Sequence, residues 1–335
     1  MKILIVKTSS LGDIIQALSV LDWLHSHFPK VQIDWIVEKS FEEILQAHPK
    51  IYRVIPLNIR KWKKGALQYR SEIKQAVCRL RENKYDCLID LQGNIKSGIL
   101  TALARSKEKI GMAFSSAPEW LNSLFLTHRY PLNQNSPISF QYLSILEQHW
   151  KIKKNLIPEN FLFKISQKEE EWIASILREN KKIMVCPASR WENKKLSFSN
   201  WIEILTKETP CHFYFAWGTE KEKKEAEAFH RYFLSSSTLL PKVSLPVWQR
   251  LMDTMDSIYS VDSSALHLAG TTKTPTYSFF GPSASKIYKP PGKQHRAFQG
   301  ECPYGKKFVK RCPILRTCKT GACLKNPSHL SKWGF

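Results

Sequence analysis

The stretch ILIVKTSSLGDIIQAL, residues 3–18, decides the fold. Its first four residues are an aliphatic run. The next seven hold one lysine, three hydroxyls, one glycine and one acid, and apolar residues then return at helical spacing. A strand that passes into a helix through a short polar turn offers that turn to a ligand at the carboxyl end of a parallel sheet. Lys7, Ser9, Ser10, Gly12 and Asp13 are therefore candidate site residues. Asp13 has two readings: a cap on the helix that follows it, or a carboxylate held at the floor of a cleft as a general base.

Outward from this stretch the same rhythm repeats. KILIV leads to a helix over 13–27, QIDWIV from Gln32 to one over 41–47, RVIPL from Arg53 to one over 67–81, and YDCLIDL from Tyr85 to one over 95–104. Residues 156–175 are polar and read as a linker. The rhythm then resumes with KIMVC from Lys182, a helix over 198–206, CHFYFAW from Cys211, a charged helix from Glu220, DSIYSVD from Asp256, a helix from Ser263 and TPTYSFFG. Strands alternating with helices predict parallel sheets covered on both faces. The expected fold is α/β, with two Rossmann-like domains facing a cleft: 1–155, then 176–315 after the linker, then a basic, cysteine-containing tail over 316–335.

At 335 residues the chain suits two domains, and 43% hydrophobic residues with 11 Trp, 11 Tyr and 17 Phe give it enough to bury. No run of 18 apolar residues occurs and the N-terminus lacks a signal-peptide pattern, so a cytoplasmic protein is expected. Fifty-one Lys and Arg against 29 Asp and Glu give +22, a field that gathers polyanions: nucleic acid, an anionic membrane or a phosphorylated substrate. No zinc-finger, RNP or KH signature occurs and the positive charge is dispersed, so nucleic acid is not the expected partner. Eight cysteines without a secretory signal are expected to be mainly reduced thiols. Four of them, Cys302, Cys312, Cys318 and Cys323, are spaced C-x9-C-x5-C-x4-C; one pair alone approaches metal-type spacing, and no metal is assigned.

The informative residues are those just after each strand. The chain has neither G-x-G-x-x-G nor G-x-x-x-x-G-K-[ST], which argues against a dinucleotide oxidoreductase and a P-loop NTPase. Gln92 lies in the turn after the fourth strand. Arg60, Lys61, Lys63 and Lys64 surround Trp62, which reads either as a solvated charge run or as a grip on a phosphorylated amphiphile. In the second half, CPASRWENKK carries Ser189, Lys194 and Lys195, AWGTEKE carries Glu222, and SVDSSALHLAG carries Asp262, Ser263, Ser264 and His267. Hydroxyls and N–H groups at a helix start, with a lysine converging on them, suit a diphosphate; an N-cap aspartate and a packed histidine are the plain alternatives.

Taken in order, ILIVKTSSLGDIIQAL, IDWIVEKSF, RVIPLNIRKWKK, LIDLQGNIKSG, GMAF, FAWGTEKEKKEA, LPKVSL and SVDSSALHLAG…TPTYSFFGP resemble the lipopolysaccharide heptosyltransferases of glycosyltransferase family 9, and within it the heptosyltransferase I branch. The resemblance implies a GT-B fold without cofactor or metal, and inverting transfer of heptose from ADP-L-glycero-β-D-manno-heptose to the Kdo of lipid-linked Kdo-lipid A, on the inner face of the bacterial inner membrane. It implies Asp13 as base, Lys194 on the diphosphate and Glu222 on the ribose. Asp262 and His267 fall on the donor motif D-T-G-x-x-H, with Ser189, Lys195, Ser263 and Ser264 around it. The acceptor falls to Lys7, Ser9, Ser10, Gly12, Gln92 and the Arg60, Lys61, Lys63 and Lys64 group. Departures from the pattern are Ser263-Ser264 for the motif's Thr-Gly, Ala188-Ser189 for two threonines, one extra residue before Lys194, which makes Lys195 a substitute, and Pro118 where the family has an arginine. A family 9 transferase for another sugar, or a degenerate non-catalytic relative, is the alternative.

Overall fold

The computed structural model describes residues 1–65, 67–152, 159–326 and 328–334. The chain divides into two compact units, Met1–Glu159 and Asn160–Phe335. The first is built on six parallel strands, β1 (Lys2–Val6), β2 (Gln32–Glu38), β3 (Arg53–Leu57), β4 (Lys84–Asp90), β5 (Arg105–Met112) and β6 (His128–Tyr130), in the order β3-β2-β1-β4-β5-β6. Helices cover both faces, so the central strands are continuous apolar runs and do not alternate: Ile3, Leu4, Ile5 and Val6 are all fully buried. Pro56, which has no N–H for a ladder, is tolerated because β3 is the sheet's edge.

The second unit repeats the plan with β7 (Lys182–Cys186), β8 (His212–Phe215), β9 (Ser237–Leu239), β10 (Ser257–Val261), β11 (Thr276–Phe280) and β12 (His295–Gln299), ordered β12-β11-β10-β7-β8-β9. Numbered within its own unit this is again 3-2-1-4-5-6, the doubly wound order. The strand sequence reverses direction between β1 and β4 in the first unit and between β7 and β10 in the second. Its core joins Trp201, Phe213, Phe215, Tyr259 and Phe279.

Three expectations are corrected. The helix predicted over 13–27 begins at Leu11 and is broken at Leu18 into Leu11–Ala17 and Ser19–His27. The stretch read as linker, 156–175, is largely part of the second unit; residues 156–158 of it lie outside the described residues. Phe163 is buried with its N–H on Gln249 Oε1 at 3.1 Å, and Gln167–Ile176 is a helix closed by a Ser166–Glu169 capping box. Its exposed acidic face hid it. The tail over 316–335 is no appendage either: Leu324 and Leu330 are buried in the second core and Trp333 packs on Phe279 and Phe298. No helix among the described residues is long and apolar enough to cross a membrane.

Candidate active site

In the first unit the turns after β1 and β4 meet at the switch point, held by a carboxylate that sequence reasoning missed. Asp90, the last residue of β4, is fully buried. Its Oδ1 accepts the Gln92 and Gly93 N–H groups at 2.8 and 3.0 Å, and its Oδ2 accepts the Asn122 amide at 2.7 Å and the Thr101 hydroxyl at 3.2 Å. The turn so fixed passes its order on. Gln92 Oε1 accepts the Thr8 and Ser9 N–H groups at 3.0 and 3.1 Å, so Gln92, expected at the acceptor, spends its carbonyl on the β1 turn. Lys7 is buried, donates to the Leu91 carbonyl at 3.1 Å and lies 5.1 Å from the Tyr142 ring centre. Burial works against its charge, but Tyr142, Asp13 and Asp90 outweigh that and hold its pKa above the ordinary lysine value. Lys7 is thus a support for the turn.

Asp13 is half-buried at the third position of its helix. Ser10 is the N-cap, and its N–H and hydroxyl both donate to Asp13 Oδ2, at 3.1 and 2.6 Å. The capping reading therefore holds in a changed form, with Asp13 as the reciprocal acid of a capping box. This geometry aims the carboxylate at the helix start and the Ser9–Gly12 turn, which leaves the base reading compatible with it.

The second unit brings four expected residues together at its own switch point. Asp262, directly after β10, is buried; its Oδ2 accepts Lys194 Nζ at 2.5 Å and also the Ser283 hydroxyl, and His267 Nε2 lies 4.0 Å from Oδ1. Burial pushes the Asp262 carboxyl up, yet Lys194, His267 and the Lys194 and Ser283 hydrogen bonds outweigh it and hold the pKa below the ordinary aspartate value. Ser189 Oγ donates to the Asp262 carbonyl at 3.4 Å. Ser263 caps the short helix Ser264–Ala269, which begins one residue later than expected. Its buried hydroxyl has no hydrogen-bond partner among the described residues, an uncompensated group that a ligand oxygen would satisfy. Ser264 is half-buried in the first turn.

Two expected donor residues stand apart from this cluster. Lys195 Nζ turns to Glu225, at 2.7 and 3.0 Å, and to Glu192 at 3.2 Å. Glu222 closes the capping box of the helix Glu220–Phe233, its Oε2 accepting the Gly218 and Thr219 N–H groups at 2.9 Å each.

A family model for glycosyltransferase family 9 (heptosyltransferase) matches residues 73–317, which include the whole Lys194–Asp262 cluster. The chain belongs to glycosyltransferase family 9. This transferase is 29% identical over 289 residues to lipopolysaccharide heptosyltransferase 1 of Pseudomonas aeruginosa, over 84% of this chain and 79% of that protein. It is 27% identical over 293 residues to lipopolysaccharide heptosyltransferase 1 of Escherichia coli K12, over 84% and 88%. The solved structure of the E. coli heptosyltransferase WaaC with ADP matches with a TM-score of 0.78 at 26% identity, over 89% of this chain and 92% of that one. The fold is accordingly the two-unit α/β fold of GT-B type.

The remaining expected residues of the family 9 transferase lie on and after the helix Ile59–Trp62. Arg60, Lys61, Lys63 and Lys64 are exposed, with Arg60 5.2 Å from the Phe41 ring centre and Lys61 3.7 Å from Glu72. Trp62, read as a contact for an amphiphile, turns inward onto the core that holds Leu80 and Leu100. Lys63 stands against Lys96 and lowers its pKa. Pro118, where the resemblance called for an arginine, packs over Gly93: a Cβ there would lie 2.7 Å from Pro118 Cδ, and Gly93 takes φ +70°. Asp90 and Ser283 were missed for one reason. Each is a single polar residue at or just beyond a strand's end, and the side chains that reveal its role, Thr101 and Asn122 for Asp90 and Asp262 for Ser283, lie 11 to 32 residues away.

Proposed function

We propose that the enzyme transfers L-glycero-D-manno-heptose from ADP-heptose to Kdo of the lipopolysaccharide inner core acceptor, Kdo-lipid A, with inversion and without a metal at the diphosphate. The observation that carries the reading is the Lys194–Asp262 pair beside the unpartnered Ser263 hydroxyl. It provides a cation and hydroxyl donors where a diphosphate meets the carboxyl ends of β7 and β10, the function a metal serves elsewhere. The names of the relatives and the ADP bound to WaaC supply the sugar and nucleotide.

In the reaction an acceptor hydroxyl oxygen attacks the anomeric carbon. The bond to the β-phosphate oxygen breaks with its electron pair, and ADP departs. Asp13 takes the hydroxyl proton, while Lys194, Ser189 and Ser263 stabilise the charge gathering on the leaving diphosphate. Asp262 holds Lys194 extended before the donor arrives, and Glu222 faces the ribose.

Arg60, Lys61, Lys63 and Lys64 meet the acceptor's phosphates and carboxylates. The close Lys63 and Lys96 ammoniums favour an anion between them, and Lys96 also borders an apolar pocket of about 190 Å³ formed with Ile59, Trp62, Ile99 and Leu103. A basic surface of this kind also suits the anionic inner leaflet. The test is Asp13→Asn, which keeps a capping group but removes the base. With ADP-heptose and Kdo-lipid A, kcat is expected to fall on the order of 10²- to 10⁴-fold while the thermal shift given by ADP stays the same. A wild-type rate would leave Asp13 as a cap and overturn the mechanism.

A further inference from the structure

The four cysteines of the last 34 residues are separated by nine, five and four residues, and the fold gathers them. Cys302, Cys312, Cys318 and Cys323 all line one cavity of about 20 Å³, together with Tyr304 and Phe308. That is room for about one water-sized occupant. All four are free thiols. The other cysteines, Cys78, Cys87, Cys186 and Cys211, take no part in this cavity.

The local chain is shaped for sulfur ligands. Cys302 and Cys318 are each followed three residues later by a glycine in the left-handed region, Gly305 at φ +66° and Gly321 at φ +61°, so the chain doubles back past the sulfur. The Thr320 hydroxyl lies 3.7 Å from the Cys318 sulfur, a polar group beside the sulfur of the kind that orients metal-bound thiolates. Between residues 300 and 326 the only regular structure is the four-residue helix Ala322–Lys325 and one bridge, Ser283 to Arg311. Eleven Lys or Arg against one acid over 286–325 offset the net negative charge of four thiolates around a divalent ion.

We propose that Cys302, Cys312, Cys318 and Cys323 form a tetrathiolate site for one thiophilic transition-metal ion, zinc or iron. Spacing along the chain assigned no metal, because one pair alone approaches metal-type spacing and the other two cysteines join it only in the fold. Among the described residues, only Cys87, Glu108 and His149 bring three ligand atoms within 4.8 Å of one another. The four sulfurs are thus more widely set than in a closed tetrahedron, and binding draws their loops inward. That other trio needs no ion: His149 is engaged on both nitrogens, by Tyr130 at 2.9 Å and Glu108 at 3.2 Å, and burial keeps the Cys87 thiol protonated.

The site is structural, and it braces the donor cluster. Asn193 borders the cavity, donates to the Leu315 and Cys318 carbonyls at 2.6 and 3.2 Å, and is the neighbour of Lys194. Cys312 N–H donates to the Pro282 carbonyl at 2.8 Å, next to Ser283. An ion there fixes both segments that hold Asp262's partners.

The proposal is independent of which sugar is transferred. Full-length protein is prepared anaerobically without chelator from cells supplied with zinc and iron, and its metals are measured by mass spectrometry. About one equivalent of zinc or iron per chain is expected, the element identifying the resident ion. Protein stripped by chelator and titrated with Co²⁺ should develop thiolate charge-transfer and tetrahedral d–d bands. Cys302→Ser, Cys312→Ser, Cys318→Ser and Cys323→Ser should each weaken Co²⁺ binding at least ~10-fold, and Cys78→Ser should not. Should a variant fail to fold, alkylation of the wild-type chain decides: metal should protect four thiols that react once it is removed. Metal below about a tenth of an equivalent with no Co²⁺ thiolate bands, bands that survive all four substitutions, or no protected thiols would overturn the site.

Discussion

Asp90 and Asp262 occupy corresponding places in the two units, one ending the fourth strand of the first sheet and the other directly following the fourth strand of the second. Both are buried, at 0% and 5% exposure. Their partners differ. Asp90 takes all four of its hydrogen bonds from neutral groups, two of them N–H groups of its own turn, and so freezes a loop. Asp262 is balanced by Lys194 from the turn after β7, with His267 close by. A lysine side chain can change partner where a backbone amide cannot. The same acid in the same fold position therefore serves as a fastener in one unit and in the other as a holder for a cation, which in the proposed reaction passes to the diphosphate.

The largest effect expected from this difference is that of Lys194→Ala. Removing the lysine leaves a buried carboxylate uncompensated, which costs about 3–5 kcal/mol of stability. In the proposed reaction it also removes a leaving-group donor, lowering kcat on the order of 10²- to 10³-fold. Urea unfolding and turnover with ADP-heptose measure the two. A variant as stable as wild type would break the comparison at its root.

Asp90→Asn comes next. Its carbonyl can keep the turn's N–H groups, but its amide then faces the donors of Asn122 and Thr101, a loss of about 1–3 kcal/mol. Asp90 bonds only to groups of the first unit, whereas the proposed donor cluster lies in the second, so the ADP thermal shift should be unchanged. Loss of that shift would give Asp90 a role beyond fastening.

How much of this was legible follows from where each signal lies. Strands buried on both faces announce themselves as apolar runs, and KILIV, QIDWIV, KIMVC and SIYSV were read in place. Strand β5, RSKEKIGM, was not, because its first half is largely open to solvent, and the edge strands β6, β9 and β12 are short or polar. Asp262 and Lys194 lie in turns after apolar strands and His267 lies in the helix that follows Asp262, which is where the sequence singled them out. Their mutual distances were not legible, and neither was the choice between Lys194 and Lys195. The four tail cysteines were visible as residues and invisible as a cluster for the same reason.

Acid tests both units without touching the Asp262 pair. Burial lowers His48 in the first unit to about 3, with Lys50 and His25 adding to it, and lowers His295 in the second to about 4. Below the unfolded value of 6.5 the unfolded chain binds protons that the folded chain refuses, so stability present at neutral pH is lost as pH falls through this range. The Asp262 contribution is lost only below the ordinary aspartate value of 3.8. From pH 7.5 to 5.5 each histidine should cost about 1.4 kcal/mol. The urea midpoint should drop less for His48→Gln than for wild type, and an equal drop would remove His48 as a cause.

The smallest effect separates the adjacent lysines. Lys195 Nζ is held by Glu225 and Glu192, whose side chains are 33% and 62% exposed, so on losing it both carboxylates can turn to water. Burial works against the charge of Lys195, but the two acids outweigh it and raise its pKa, as expected for a pair that serves the helix Glu220–Phe233 and not the donor cluster. A pair with such exposed partners contributes at most about 1 kcal/mol. Lys195→Ala should therefore shift the urea midpoint slightly, keep the ADP thermal shift and change kcat by about threefold or less. The extra residue before Lys194 left the register undecided between the two positions, and the fold chooses by reach: one ammonium meets Asp262, the next meets the opposite helix. If Lys195→Ala abolished transfer while Lys194→Ala kept it, the diphosphate would belong to the Glu225 side of the turn and the pairing of Lys194 with Asp262 would be purely structural, like that of Asp90 with its loop.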